Sequence, residues 1–198
     1  MREKLRNYIE ASICPQFFYE EKLPHLWLFS LILPALTGLF SMLSVGLDRY
    51  SAGLCGADNV VEVSLLGLAL GVCSVFFRAA VIKIISVFTA DSVAFQELSY
   101  AIGASFGVPL FISFIGFVLR VVFSLDVSGA FLLVVSLTQL IPLYYLMIYL
   151  NLGGIKKRKM TALLTVTAVG IVQLFVLWLL RFLPDTKGER SDYGKETV

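Results

Sequence analysis

Side chains that could act as nucleophiles, bases or metal ligands are few and widely separated in this chain. It has one histidine, His25, and three cysteines, Cys14, Cys55 and Cys73. Nucleophilic catalysis requires a base beside the serine or cysteine, and a zinc site requires several histidines or cysteines at short spacing. The sequence contains no such grouping. We therefore predict a protein with no enzymatic activity, no metal site, no cofactor and no intrachain disulfide bond.

The densest cluster of chemically active side chains is cationic. Lys156, Lys157, Arg158 and Lys159 follow one another between two long apolar runs. Lysines and arginines in a short loop hold that loop on the cytoplasmic side of a membrane, and each also attracts anionic headgroups by about 1 kcal/mol. Three interpretations remain open, namely a topological anchor, an anchor that also contacts lipid headgroups, and a docking patch for a partner protein.

The overall composition favours a protein that lies within a membrane. The chain has 198 residues, of which 58% are hydrophobic and 15% are charged. A soluble domain of this length needs more polar surface than these residues supply. The formal net charge of +2 gives no reason to expect a nucleic-acid partner.

Five apolar stretches approach or exceed the roughly 20 residues that a helix needs to cross a bilayer. They cover residues 26–47, 60–77 (or on to 88), 100–119, 127–150 and 160–183. Helices are expected because lipid cannot satisfy the hydrogen bonds of an irregular backbone. The predicted fold is an all-α polytopic membrane protein, with a bundle of five transmembrane helices over 26–183. A segment over 1–25 precedes this bundle, and a polar tail over 184–198 follows it.

The charges of the connecting loops predict the orientation of this bundle. Loops on the side of the amino terminus hold six cations, namely Arg78, Lys83 and the cluster Lys156–Lys159, and the opposite loops hold two, Arg49 and Arg120. By the positive-inside rule the amino terminus is cytoplasmic and the carboxyl terminus is outside or lumenal. We expect a multi-pass protein, in the inner membrane if the source is bacterial.

Small residues and prolines within the spans predict how the helices pack. Gly67 and Gly71, like Gly103 and Gly107, are four residues apart, a spacing that lets two helices approach closely. This contact is expected within the chain, with a dimer face or a hinge as alternatives. Prolines remove a backbone hydrogen bond and kink a helix. Three of them lie inside predicted spans: Pro34, Pro109 and Pro142.

Ionisable side chains are expected only near the ends of the spans. Arg78 and Lys83 follow the second apolar stretch, where long side chains reach the membrane surface. A charged path for ions is therefore disfavoured. The uncharged polar residues of the spans leave two readings open, because they could line a cavity or bond to their own helices. They are Thr37, Ser41, Ser105, Ser113, Thr138 and Gln139.

The order of these features resembles a known membrane-protein family. The stretch CPQFFYEEKLPHLWLFSLILPALTGLF, with Pro15, Phe17 and Phe18, looks like the opening of the Yip (Ypt/Rab-interacting protein) domain family, above all its prokaryotic members. The segment LYYLMIYLNLGGIKKRKMTALLTV is similar to the family's fourth span, short basic loop and fifth span. The resemblance covers residues 12–183.

The middle of the chain extends this resemblance. FTADSVAFQELSYAIGASFGVPLFI is similar to the family's segment before the third span at Phe95, Tyr100, Ala101 and Pro109. The resemblance implies five spans, a cytoplasmic amino terminus and a role as a membrane scaffold or accessory factor in membrane organisation or trafficking. It implies the lipid bilayer as partner, together with a second copy of the chain or other membrane proteins.

Two other classes of function remain as alternatives. The first is a small permease, or the substrate-binding membrane subunit of a transporter, for which a polar cavity within the bundle is the expected sign. The second is an enzyme that acts on lipid, for which two ionisable groups would have to meet inside the bilayer.

Overall fold

The computed structural model describes residues 27–88, 94–125, 128–150 and 154–181. For residues 27, 29, 88, 128, 154–158, 177 and 179–181 it describes the backbone alone. His25, Cys14, the segment 1–25 and the tail 184–198 therefore lie outside the described residues, as do Pro15, Phe17 and Phe18.

All regular structure in these ranges is α-helical. In chain order the helices are α1 (Trp27–Ser51), α2 (Ala57–Phe88), α3 (Phe95–Ala104), α4 (Gly107–Phe123), α5 (Ser128–Thr138), α6 (Leu140–Tyr149) and α7 (Gly154–Arg181). The all-α class predicted from the apolar runs is confirmed.

These helices supply four or five spans. Four apolar segments are long enough to cross a membrane, namely Ser30–Ser51 in α1, Ala57–Val87 in α2, Gly129–Tyr149 across α5 and α6, and Lys159–Val176 in α7. Helices α3 and α4 are bent by 40° at a short break and provide a fifth span if the pair is counted as one. These apolar helices are compatible with a multi-pass membrane protein.

Two of the three prolines account for the interruptions. Pro109 has no N–H for the carbonyl of Ser105, four residues earlier, and α3 ends next to that residue. Pro142 stands in the same relation to Thr138, the last residue of α5. Pro34, by contrast, lies inside the continuous helix α1.

Two predictions about the helices need correction, and one that was left open is decided. Gly103 and Gly107 do not share one helix face, because the bend before Pro109 separates α3 from α4. Helix α2 runs without interruption to Phe88 and so takes the longer of its two predicted lengths. The residues Lys156–Lys159 are in the first turns of α7 rather than in a loop, since lysine and arginine are good helix formers and extend the helix past its apolar part.

Glycines hold α2 and α3 tightly against α1. Gly67, Gly71 and Gly103 approach α1 so closely that a Cβ atom on any of them would overlap a backbone carbonyl of that helix. The carbonyls belong, in the same order, to Gly38, Pro34 and Ser30. Pro34 has no N–H to donate to the Ser30 carbonyl, which is the carbonyl that Gly103 approaches.

The apolar core lies where α2, α3, α6 and α7 meet. Val75, Ala79 and Ile82 of α2 are fully buried, together with Leu98 and Met147 from α3 and α6. Many large apolar side chains lie exposed on the outer surface, as expected of side chains that face lipid.

Candidate functional site

Arg78 is the largest fully buried side chain of the described residues, with 1% of its surface exposed. The expectation that it reaches the membrane surface is therefore wrong. Helix α2 continues from Arg78 to Phe88, which at 1.5 Å per residue is roughly 15 Å of additional helix. The side chain cannot extend that far, and it turns into the bundle instead.

The guanidinium of Arg78 meets an amide and an aromatic ring. Its Nη2 donates a hydrogen bond to Oε1 of Gln139, and its Cζ lies 5.1 Å from the centre of the Phe106 ring. Both partners are placed by prolines, because Gln139 stands at the α5–α6 break before Pro142 and Phe106 stands in the α3–α4 bend before Pro109. Cation–π contact of this kind is favourable where water is excluded.

Gln173 of α7 completes the polar cluster. Its Nε2 donates to the same Gln139 Oε1 at 3.1 Å, while its own Oε1 is buried with no hydrogen-bond partner among the described residues. Arg78, Phe106, Gln139 and Gln173 thus bring together α2, the α3–α4 bend, the α5–α6 break and α7. We call this group the arginine cluster.

The charge of this cluster has no acidic partner in the described part of the chain. The carboxylates described there are Asp48, Asp58, Glu62 and Glu97, and the last three are exposed. Asp48 forms an ion pair with Arg120 at the far end of α1. Arg78 therefore carries a buried positive charge that only neutral groups of these ranges surround, an arrangement that costs free energy unless an anion compensates it.

A cavity of about 300 Å³ opens beside the arginine cluster. Arg78, Gln139 and Gln173, which are linked through Gln139, form its polar end, and Thr37 and Ser136 are further polar residues of the lining. Most of the remaining wall is apolar, with Met42, Leu70, Leu132 and Val135 among the lining residues. Gln139 stands midway along the apolar segment Gly129–Tyr149, which is long enough to span a membrane.

The lining residues that are also exposed at the outer surface belong to α2 and α7, and we call this side of the cavity its mouth. Cys73 and Phe77 of α2 line the cavity and are also exposed at the outer surface, as are Val172 and Val176 of α7. Since both helices carry apolar residues at this mouth, it faces the acyl chains rather than water.

The sequence left open whether the polar residues of the spans line a cavity or bond to their own helices, and both are found. Thr37, Ser105 and Thr138 donate to carbonyls three or four residues earlier in their own chain segment. Ser41 and Ser113 instead bond to each other at 2.9 Å and join α1 to α4. Of the six polar residues named above, Thr37, Ser41 and Gln139 line the cavity.

A second arginine, Arg120, is paired with an acidic residue and joins two helices. Arg120, expected in an outer loop, is in the last turn of α4 and forms an ion pair with Asp48 of α1. It also donates to the hydroxyl of Ser51 and, at 3.3 Å, to the carbonyl of Leu47. These contacts tie the ends of α1 and α4 together.

The other predicted residues do not join the arginine cluster. Lys159 is exposed at the start of α7, and the side chains of Lys156, Lys157 and Arg158 lie outside the described residues. Cys55 and Cys73 are free thiols. Within the described ranges no three histidine, cysteine or acidic residues stand together as metal ligands would.

Sequence reasoning misplaced Arg78 and overlooked Phe106 and Gln173, although a signal was present for the two polar residues. Arg78 is seven residues after Gly71 and shares the buried face of α2 with Gly67, Gly71 and Val75. Gln173 is four residues after Val169 and continues the buried stripe of α7. A polar residue on the small or buried face of a span points into the bundle.

Comparison with known proteins gives no relative. No family model, no curated protein and no solved structure matches this chain.

Proposed function

We propose that this chain is a non-enzymatic multi-pass membrane protein that binds a small molecule inside its helix bundle, as a small permease or the substrate-binding membrane subunit of a transporter does. The observation that carries the proposal is the position of Arg78, a buried cation at one end of a cavity that is enclosed by apolar helices. Ionisable residues placed in this way mark ligand or substrate sites in membrane proteins.

A purely structural role explains Arg78 less well. Arg120 shows that this fold closes a helix contact with an arginine by giving it an acid, Asp48. Where Arg120 has the carboxylate of Asp48, Arg78 has the neutral amide of Gln139 and the ring of Phe106, and it lies next to the cavity. An anion or strong acceptor that enters the cavity would offset the cost of the buried charge.

The proposal includes no catalytic step. Among the described residues, the polar lining of the cavity offers a guanidinium, two carboxamides and hydroxyls, and none of these pairs with a general base. We further propose that the amino terminus is cytoplasmic, since Lys83 and Lys156–Lys159 remain near the ends of α2 and α7 on one side of the bundle.

A Yip-domain-type scaffold in membrane organisation or trafficking is the second candidate. The exposed Lys159 supports it, since a cation at the membrane end of α7 is suited to anionic headgroups or to a partner. The glycine faces do not supply the oligomer contact that such a scaffold would use, because Gly67, Gly71 and Gly103 are already packed against α1.

Loss of a co-purified molecule on filling the cavity tests the binding proposal. The full chain would be purified in an uncharged detergent, extracted with organic solvent and analysed by mass spectrometry for retained small molecules. Ser136→Phe places a ring in the cavity, and Leu133→Phe is the matched control because Leu133 is on the same helix but is exposed and not part of the lining.

The proposal predicts a molecule at near-stoichiometric amount in the wild type and in Leu133→Phe, and a loss of at least fivefold in Ser136→Phe. Equal retention by all three proteins, or retention by none, would contradict binding in this cavity and would favour the scaffold.

A further inference from the structure

We propose that the occupant of the cavity is a single-chain amphiphile whose carboxylate lies against the arginine cluster and whose tail follows the apolar wall towards the mouth between α2 and α7. This inference rests on the proposed function and specifies its ligand.

The charge of the site selects a monoanion. Arg78 contributes one positive charge, and no described carboxylate compensates it. A carboxylate brings one negative charge and matches the planar fork of the guanidinium with two parallel hydrogen bonds. A phosphate monoester would bring close to two charges and leave one without a partner, which is costly away from water.

The donors of the cluster suit a carboxylate as well. Within the described part of the chain, Arg78 uses one N–H for Gln139, and a guanidinium has five. Gln139 accepts two hydrogen bonds at Oε1, while its Nε2 donates to no described residue. Both residues line the cavity, so α2 and the α5–α6 break each bring N–H donors to its lining.

The shape of the cavity selects an apolar chain that comes from the bilayer. Its wall is mainly apolar, and its mouth at Phe77, Val172 and Val176 opens among residues that face lipid. A volume of about 300 Å³ holds roughly ten non-hydrogen atoms, if each takes the 30 Å³ that one water occupies in the liquid. An acid of about eight carbons, with its two carboxylate oxygens, fits this space, and the end of a longer tail would leave through the mouth.

Direct binding of four ten-carbon probes tests this assignment. Decanoate, decanol, decyl phosphate and decyltrimethylammonium share one tail and differ in the headgroup. Their affinities for the full chain would be measured by calorimetry in nanodiscs of neutral phosphatidylcholine, with empty nanodiscs subtracted.

Decanoate is expected to bind at least about tenfold more tightly than decanol, which is the effect of a charge-assisted hydrogen bond, and decyltrimethylammonium is expected not to bind. Decyl phosphate is expected to bind more weakly than decanoate. Decanol binding as tightly as decanoate, or decyl phosphate binding more tightly, would overturn the assignment, and neither outcome would disturb the proposal that the cavity holds some ligand.

Replacement of the arginine locates the effect. Arg78→Gln is expected to lower decanoate affinity at least about tenfold and to leave decanol affinity within about threefold. Arg49→Gln is the matched control, because it removes the same charge from the last turn of α1, away from the cavity. Unchanged decanoate binding in Arg78→Gln would overturn the role of Arg78. Should this variant fail to fold, the four-probe comparison on the wild type decides the matter alone.

Discussion

Helix α2 takes part in two contacts that are built in opposite ways. Towards α1 it presents Gly67 and Gly71, and the two backbones touch. Further along the same buried face it presents Arg78 to the α3–α4 bend and the α5–α6 break, and a cavity with a lateral mouth remains. The first contact leaves no room for a side chain, whereas the second leaves room for a molecule.

This difference teaches how a short membrane protein can combine rigidity with a binding site. Glycine contact fixes α1, α2 and α3 as one wall, so the buried face of α2 has a defined direction. Arg78 lies on that same face, seven residues after Gly71, and therefore points into the bundle. The two proline-associated breaks then supply Phe106 and Gln139 at the level of the guanidinium.

The largest expected effect comes from breaking the glycine contact. Gly71→Leu would force its side chain into the Pro34 carbonyl of α1, so we expect a loss of about 3 kcal/mol or more in the free energy of unfolding. Thermal or denaturant unfolding of the purified protein would measure it. Gly129→Leu is the control, because a Cβ at Gly129 meets no atom within 4 Å. Equal stability of the two variants would show that α1 and α2 are not in close contact.

Removal of the amide at Gln139 is expected to have a smaller effect. Gln139→Leu withdraws the acceptor from the buried guanidinium and should cost about 2–3 kcal/mol in the free energy of unfolding. Gln96→Leu is the matched control, since Gln96 is exposed and bonds to Tyr100 at the surface.

A double-mutant cycle separates this interaction from simple loss of packing. Arg78→Met combined with Gln139→Leu should recover most of the stability, because the charge that lacked its acceptor is then gone. Additive losses would mean that Arg78 and Gln139 do not interact.

The smallest expected effect concerns the acceptor on Gln173. Its buried Oε1 lacks a donor among the described residues, so a ligand with a hydroxyl near its carboxylate should bind better. We expect 3-hydroxydecanoate to bind about threefold more tightly than decanoate, which is the effect of one neutral hydrogen bond. Gln173→Leu should abolish the difference in a calorimetric titration. A difference that persists in this variant would place the hydroxyl elsewhere.

Composition and periodicity predicted the class of fold but not the site. The apolar runs predicted membrane-spanning helices, because lipid cannot satisfy the hydrogen bonds of an irregular backbone. Pro109 and Pro142 predicted the breaks in two of these helices. Whether the Arg78 side chain is buried depends on whether α2 continues past it. The apolar run that ends in Phe76 and Phe77 does not decide where the helix ends. The contact of Gln173 with Gln139 could not be predicted, because it depends on how α7 packs against α5 and α6.

The packing glycines show the same limit. Gly67 and Gly71 were recognisable by their spacing, yet the spacing does not name the partner helix. The pair Gly103 and Gly107 had identical spacing but was divided by a bend. Local pattern predicts a close contact, and tertiary structure decides which helix makes it.

The most direct test of the account is the accessibility of position 78. In a background with Cys14, Cys55 and Cys73 replaced by serine, Arg78→Cys and Lys159→Cys would be treated in intact and permeabilised vesicles with a charged, membrane-impermeant thiol reagent and then with small, permeant N-ethylmaleimide. The account predicts that the impermeant reagent labels Cys at 159 and leaves Cys at 78 unlabelled from both faces, whereas N-ethylmaleimide reaches position 78 through the lateral mouth. Labelling at 78 by the impermeant reagent at the rate seen for 159 would place Arg78 at the membrane surface and contradict the account.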